Sequence, residues 1–282
     1  AMSHTTGDFA AIFLDAGTKI LQRGYEGTPK TFDAWTSSME VSDFKEVNLI
    51  SSSNFPGLRE LPEGAEIQYG SLVDGRERAA ILTYARALVL SRKMIINDDL
   101  GVFQKLARDM GNAASRLESD IVYGLLLNGD TMSDGKSLFH NDHNNLAGSG
   151  GAVSETTVNA GWDAMTKQTA PKAHEKDKPE YLGLFPNFII HSPKQRSAVK
   201  KLLTQTTPAK ASDVQAFTEL TNIEEPRLWD DNAWFLACDP AQAGTVEVLR
   251  LVGSNGPMTF EAQNDRTLGL TYNVVHDFGA KA

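Results

Sequence analysis

Apolar side chains recur at steps of three and four through Phe103, Leu106, Met110, Ala113, Leu117, Ile121 and Leu125, which is the period of an α-helix. The spacing predicts one helix over residues 97–129. Asn97 suits its N-cap, and Asp98 and Asp99 suit the positive end of the helix dipole. Asn128-Gly129 supplies a left-handed stop. About 30 residues rising roughly 1.5 Å each give a rod of about 45 Å. That is about three times the usual helix length, so something long must lie beside it.

The same pattern places a shorter amphipathic helix or arm over residues 8–25, on Phe9, Ile12, Phe13, Ala16, Ile20 and Leu21. Gly24, Gly27 and Pro29 end it, and Phe32 and Trp35 follow as anchors in a polar passage. Between residues 54 and 75 the helical period gives way to short pieces separated by glycine and proline. Asp74-Gly75 reads as a turn between two strands, so this region and the run ERAAILTYARALVLSRKMII form a long hairpin. A third helix spans 155–168, with Ser154 as its cap and Val158, Trp162 and Met165 inward. LFPNFIIHSP reads as a buried strand stopped by Pro193, and residues 194–203 as a short basic helix. AWFLACDP, GTVEVLRLVG, MTFEAQ and LGLTYNVVHDFGA then alternate with turns. Mixed elements with strands clustered late favour an α+β class over a doubly wound sheet.

The 282 residues are enough for a sizeable core and two lobes. No stretch approaches the roughly 18 uninterrupted apolar residues of a membrane span, and no secretory pattern is visible at the start. The net charge of -9 argues against a surface built to grip a nucleic-acid duplex. The one cysteine, Cys238, has no intrachain partner, suits a reducing compartment, and sits in an apolar run that predicts a buried structural thiol.

Candidate chemistry is thin. Asp134-Gly135-Lys136-Ser137 resembles the end of a phosphate loop, but such a loop needs a glycine five places earlier, where Asp130 stands, and a preceding strand. His140, Asp142 and His143 could offer ligands to a metal-dependent hydrolase, but this spacing supplies two convergent ligands where a site needs three or four. Adjacent carboxylates such as Asp98-Asp99, Glu224-Glu225 and Asp230-Asp231 suit capping or solvated roles. No catalytic, cofactor or metal site is expected. The glycines inside the long helix invite two readings: close packing of a neighbouring strand, or a hinge at Gly111 near its middle.

The order of elements resembles a known family. FAAIFLDAGTKILQRGYEG, FPGLRE at 55–60, DDLGVFQKLARDMGNAA, DGKSLFHNDHNNL at 134–146, FPNFIIHSP, AWFLACDP and YNVVHDFGA together are similar to the tailed-phage major capsid protein, and within it to the Mu-like major head subunit group. That resemblance implies a structural subunit that self-assembles into an icosahedral virion head around double-stranded DNA, put together in the bacterial cytoplasm. It implies pentamers and hexamers of the chain itself, with portal, scaffold or protease and decoration proteins as partners, DNA enclosed without sequence-specific binding, and no membrane. Its layout maps as an N-terminal arm (1–40), an extended loop hairpin with flanking strands (41–97), a peripheral domain holding the spine helix (98–185), an axial domain (186–245) and strands returning to the peripheral domain (246–282). Arg59, Glu60, Glu63, Arg76, Glu77 and Arg78 on the hairpin flanks become candidate subunit contacts, and Gly111 a candidate spine hinge. An encapsulin-like compartment shell is the alternative. Some phages of this fold weld subunits through a lysine of the extended loop; here no lysine lies between Lys45 and Lys93. A shell without that cross-link is expected. The acidic balance suits a lining that does not hold its cargo to the wall.

Overall fold

The computed structural model describes residues 6–50, 61, 63, 76–91, 100–170, 180–204, 217, 219–254, 256–264 and 269–282. The long helix is present as Leu100–Asn128, here called α2, and Gly129 ends it with φ +67° as expected. Asn97, Asp98, Asp99 and the Asp74-Gly75 turn lie outside the described residues. The N-terminal helix α1, Thr6–Gly27, is longer than its sequence pattern suggested.

What lies beside α2 is α1 on one side and a sheet on the other. The two helices meet backbone to backbone. A Cβ on Gly111 would collide with the carbonyl of Leu21 and stand 2.8 Å from the Tyr25 nitrogen, and one on Gly24 would collide with the carbonyl of Arg108. Close packing therefore accounts for Gly111, but the neighbour is a helix rather than the strand anticipated.

The buried stripe of α2 is also one position away from the apolar pattern. Leu106, Met110, Leu117, Ile121 and Leu125 are half-buried and Ala113 is exposed, while Ala107, Gly111, Ala114, Ser115, Glu118, Val122 and Leu126 are buried. Two neighbours clasp the helix, so small residues face α1 and the larger apolar ones fill the flanks.

The larger sheet runs β1 (Ser37–Val41), β8 (Glu247–Leu251), β10 (Gly269–Lys281) and β4 (Leu82–Ser91), with β9 (Met258–Asn264) also on β10. β10 organises it: residues 269–278 pair antiparallel with β4, 269–275 with β9, and 279–281 with β8. β1 joins β8 in parallel. β2 (Val47–Ile50) and β3 (Arg76–Ala79) form a two-stranded antiparallel ribbon, and β3 leads directly into β4. The main core joins Phe32 and Trp35 to Val122, Tyr123 and Leu126 of α2 and Phe278 of β10, so both anticipated anchors are fully buried.

A second lobe holds the three-stranded sheet β6 (Thr221–Glu224), β5 (Pro186–His191) and β7 (Trp234–Cys238). Pro193 stops β5 as expected and opens a 3-10 turn into α4, Arg196–Leu203. Helix α3, Glu155–Thr166, begins with a capping box between Ser154 and Thr157. Its Val158 and Trp162 pack with Ile189 and Val199, and a Cβ on Gly161 would lie 2.9 Å from Leu236. It therefore packs on the β5 sheet, although the layout drawn from the resemblance set it with the spine.

A buried charge knot and the candidate contact surface

Glu118 is fully buried in the middle of α2, a position that demands neutralisation. Four elements converge on it. Tyr25 of α1 donates its hydroxyl at 2.6 Å, and Lys30, in the turn after α1, reaches it at 3.0 Å. Arg250 of β8 approaches at 3.2 Å, and His276 of β10 at 2.8 Å through Nε2. The other ring nitrogen of His276 is buried with no hydrogen-bond partner among the described residues, which puts the ring hydrogen on Nε2, donating to the carboxylate. Lys30 also lies 3.6 Å over the Tyr25 ring, a cation–π contact.

The electrostatics follow from this crowding. Burial alone would raise the Glu118 carboxyl, but His276, Arg250, Tyr25 and Lys30 outweigh it and hold it down to about 2. Burial, reinforced by the adjacent carboxylate, pushes the Tyr25 hydroxyl well up. Burial lowers the Lys30 ammonium against the pull of Glu118. The knot thus ties α1, the spine and two strands of the large sheet at one point.

A second node lies one turn along. Glu225, also buried, accepts from Thr31 at 2.5 Å and from the Arg227 guanidinium at 2.9 Å. Thr31 is 2.8 Å from the Tyr123 hydroxyl, and Arg227 reaches Asp120 at 2.5 Å. Burial raises the Tyr123 hydroxyl to about 12. This node fastens the 31–34 turn and the exit of β6 onto α2.

The residues singled out by sequence fall elsewhere. Arg59 and Glu60 lie outside the described residues. Glu63 is exposed, and Arg76, Glu77 and Arg78 share β3. Arg78 pairs loosely with Glu46 at 3.6 Å. Glu77 is engaged within the subunit: it accepts from the Ser133 amide at 2.8 Å and so holds the 131–137 loop against β3.

The His140, Asp142 and His143 group does not converge. His143 spends Nε2 on Asp134 at 2.9 Å and Nδ1 on the Leu138 carbonyl at 3.0 Å, while Lys136 takes Asp142. The Asp134 bond raises the His143 imidazole. Among the described residues no three metal-binding side chains come together, and no helix is long and apolar enough to cross a membrane. Asp134-Gly135 forms a turn after α2 in which the Gly135 amide is spent on the Met132 carbonyl and the Lys136 amide on the Asp134 carboxylate. Cys238 is buried, and burial raises its thiol, as its apolar context predicted.

The described residues thus form a long helix clasped between an N-terminal helix and a sheet closed by the last strand, beside a smaller sheet lobe. Residues 76–282 match the family model of phage capsid protein. The chain belongs to the phage capsid protein family. It is accordingly a structural, shell-forming subunit with the major capsid fold read from its sequence, and family and fold are those of structural proteins. No curated protein matches the chain.

Solved structures agree on the fold. The bacteriophage JBD30 capsid is 16% identical, with 71% of this chain and 91% of that one covered at a TM-score of 0.55. The capsid of the native GTA particle is 10% identical, covering 90% and 86% at 0.56. The SrpI encapsulin complex from Synechococcus elongatus PCC 7942 is 12% identical, covering 90% and 84% at 0.53. At these identities the likeness concerns fold alone, which phage heads and encapsulins share; the family match favours the phage capsid.

Sequence reasoning missed Glu118. A lone glutamate at a core-facing helical position, with a Lys and an Arg elsewhere to neutralise it and a His to hydrogen-bond it, has no signature in one sequence.

Proposed function

We propose that this capsid protein is the major subunit of the icosahedral head of a tailed phage or prophage, built as pentamers and hexamers around double-stranded DNA in the bacterial cytoplasm. The family match over residues 76–282 carries this reading. The net charge of -9 supports a wall that encloses DNA without binding its sequence. Portal, scaffold or protease and decoration proteins are the partners this role calls for. The Mu-like group is the finer assignment, resting on the quoted sequence segments.

The domain layout follows as a proposal. The arm occupies 1–40, the extended hairpin 41–97, the spine and its sheet the peripheral domain, and 186–245 the axial domain. The packing of α3 on β5 supports moving residues 153–170 to the axial side. Arg59, Glu60, Glu63, Arg76 and Arg78 remain proposed subunit contacts. Bending of the spine at Gly111 would have to carry α1 with it, because the two backbones touch there.

Negative-stain imaging of the purified chain tests the reading. Closed particles or tubes of regular diameter are expected. Particles that carry an enzyme cargo and no nucleic acid when recovered from the native host favour the encapsulin alternative, and a stable monomer under all assembly conditions overturns both.

A further inference from the structure

Strand β4 is a sheet edge. It pairs with β10 through an unbroken antiparallel register from Leu82 to Ser91, and among the described residues no strand pairs with its other side. At 10 residues it is about 33 Å long. A bare edge offers a row of unpaired amides and carbonyls, so monomeric proteins shorten it, bend it with a bulge, or guard it with lysine or proline. β4 has none of these devices. It holds no bulge, proline, lysine or carboxylate, and Arg86 is its one charge. Tyr84 and Leu88 pack against the cores. Thr83, Ala85, Arg86 and Ala87 are exposed, and so is Val89, at 53%.

The outer face beside this edge is apolar too. The register lines Ala85, Val275 and Met258 in one row across β4, β10 and β9, and Ala87, Asn273 and Phe260 in the next. Met258 and Phe260 are exposed. Among the described residues the one carboxylate on this face, Asp277, is buried and accepts from the Thr83 hydroxyl at 2.6 Å. That composition selects the occupant. In a chain of net charge -9, copies repel across most of their surface, but here no free carboxylate opposes them. A basic partner finds nothing on this face to pair with. An edge meets its own copy antiparallel about a two-fold axis, a self-complementary contact that needs no second component. An axis at Arg86 would set the two guanidinium groups opposite each other, which is destabilising. An axis at Ala87 seats each Arg86 against Leu88 of the other copy and meets alanine with alanine at the centre. The sheet concerned is separate from that of the 186–245 lobe, so the contact joins neighbouring rings and leaves the pentamers and hexamers proposed around that lobe intact.

We propose that β4 is the edge through which two copies of this chain join, pairing antiparallel about a two-fold axis at Ala87 into one continuous sheet. The proposal rests on the shell-subunit reading and names one of the contacts that reading needs. Light scattering across a concentration series compares wild type with Ala85→Lys/Ala87→Lys, which changes two exposed positions. In parallel, the full-length single variants Thr83→Cys, Ala85→Cys, Ala87→Cys and Val89→Cys are oxidised. The expected results are an assembly threshold at least tenfold higher for the lysine variant, whose ammonium groups crowd the axis, and a disulfide between copies that peaks at Ala87→Cys in assembled particles and does not form in dilute subunits. A lysine variant that assembles at the wild-type threshold, or assembled cysteine variants that give no disulfide between copies, overturns the contact and leaves the shell reading standing. A peak away from Ala87→Cys overturns the axis. A wild type that never assembles overturns both contact and shell reading. Should the lysine variant fail to fold by circular dichroism, the cysteine series decides alone.

Discussion

Glu118→Gln is the sharpest probe of how this subunit is held together. Glutamine keeps the shape of the side chain and removes the charge. The carboxyl, ordinarily near 4.5, is held at about 2 in the fold. At about 1.4 kcal/mol per unit, that difference is worth about 3 kcal/mol of stability at neutral pH. An independent route gives a similar figure. Removing one partner of a buried ion pair costs roughly 3–5 kcal/mol. The lower end applies here, because the Lys30 and Arg250 side chains keep 13% and 28% of their exposure. For a chain of this size about 3 kcal/mol lowers Tm by roughly 6–12 °C.

The pH dependence separates this charge effect from simple loss of packing. A carboxyl depressed in the fold stabilises above its unfolded value and loses that contribution as pH falls from about 4.5 towards about 2. By pH 3 roughly 60% of it is gone. Urea unfolding of the unassembled subunit, followed by circular dichroism at pH 7 and in steps from 5 to 3, measures both terms. The wild type is expected to exceed Glu118→Gln by about 3 kcal/mol at pH 7, and the gap to narrow below pH 4.5. Equal midpoints at pH 7, or a gap that stays constant into acid, would refute the claim that Glu118 is an ionised counter-charge for Lys30 and Arg250.

Three further outcomes follow from the packing. Gly111→Ala forces a methyl into the α1 backbone and is expected to cost about 2 kcal/mol net of the helix propensity it gains, whereas Gly124→Ala, which meets only the Asn128 side chain at 3.9 Å, should gain about 1 kcal/mol; urea midpoints of the two variants report it. Ser154→Ala removes the α3 capping box and should cost about 1 kcal/mol in the same assay, with a midpoint equal to wild type counting against the cap. Boiled shells should run as a single band on a denaturing gel, because residues 46–92 hold no lysine to form the cross-link; a covalent ladder would show that another residue takes its place.

The elements were legible where a local rule governs them. Ser154 with Thr157, Gly129 at φ +67°, Pro193 after β5, and the strands of the last third each obey a short-range preference that survives tertiary packing. What sequence could not supply were the choices made between distant elements. The apolar stripe of α2 pointed to Leu106, Leu117 and Ile121, yet the buried row is one residue further on and includes Ser115 and Glu118. Periodicity reports which face is greasy. It does not report that two glycines bring a second helix into backbone contact, or that a carboxylate can replace a leucine when three cationic or hydrogen-bonding groups arrive from residues 30, 250 and 276.

The surface presents the same problem in reverse. Arg76, Glu77 and Arg78 drew attention as a charge cluster, and Glu77 proves to be committed within its own subunit to the Ser133 amide. Trp229, in a polar stretch between two strands, carried no pattern at all. Its exposure emerges only from the fold, which buries Leu228 and leaves the next side chain in solvent. An interior can be argued from periodicity because burial repeats along an element. A contact surface depends on which side chains the fold leaves over once its own charges and apolar groups are satisfied. On that criterion a side chain spent within its own subunit, as Glu77 is on the Ser133 amide, has less to offer a neighbour than its charge alone suggests.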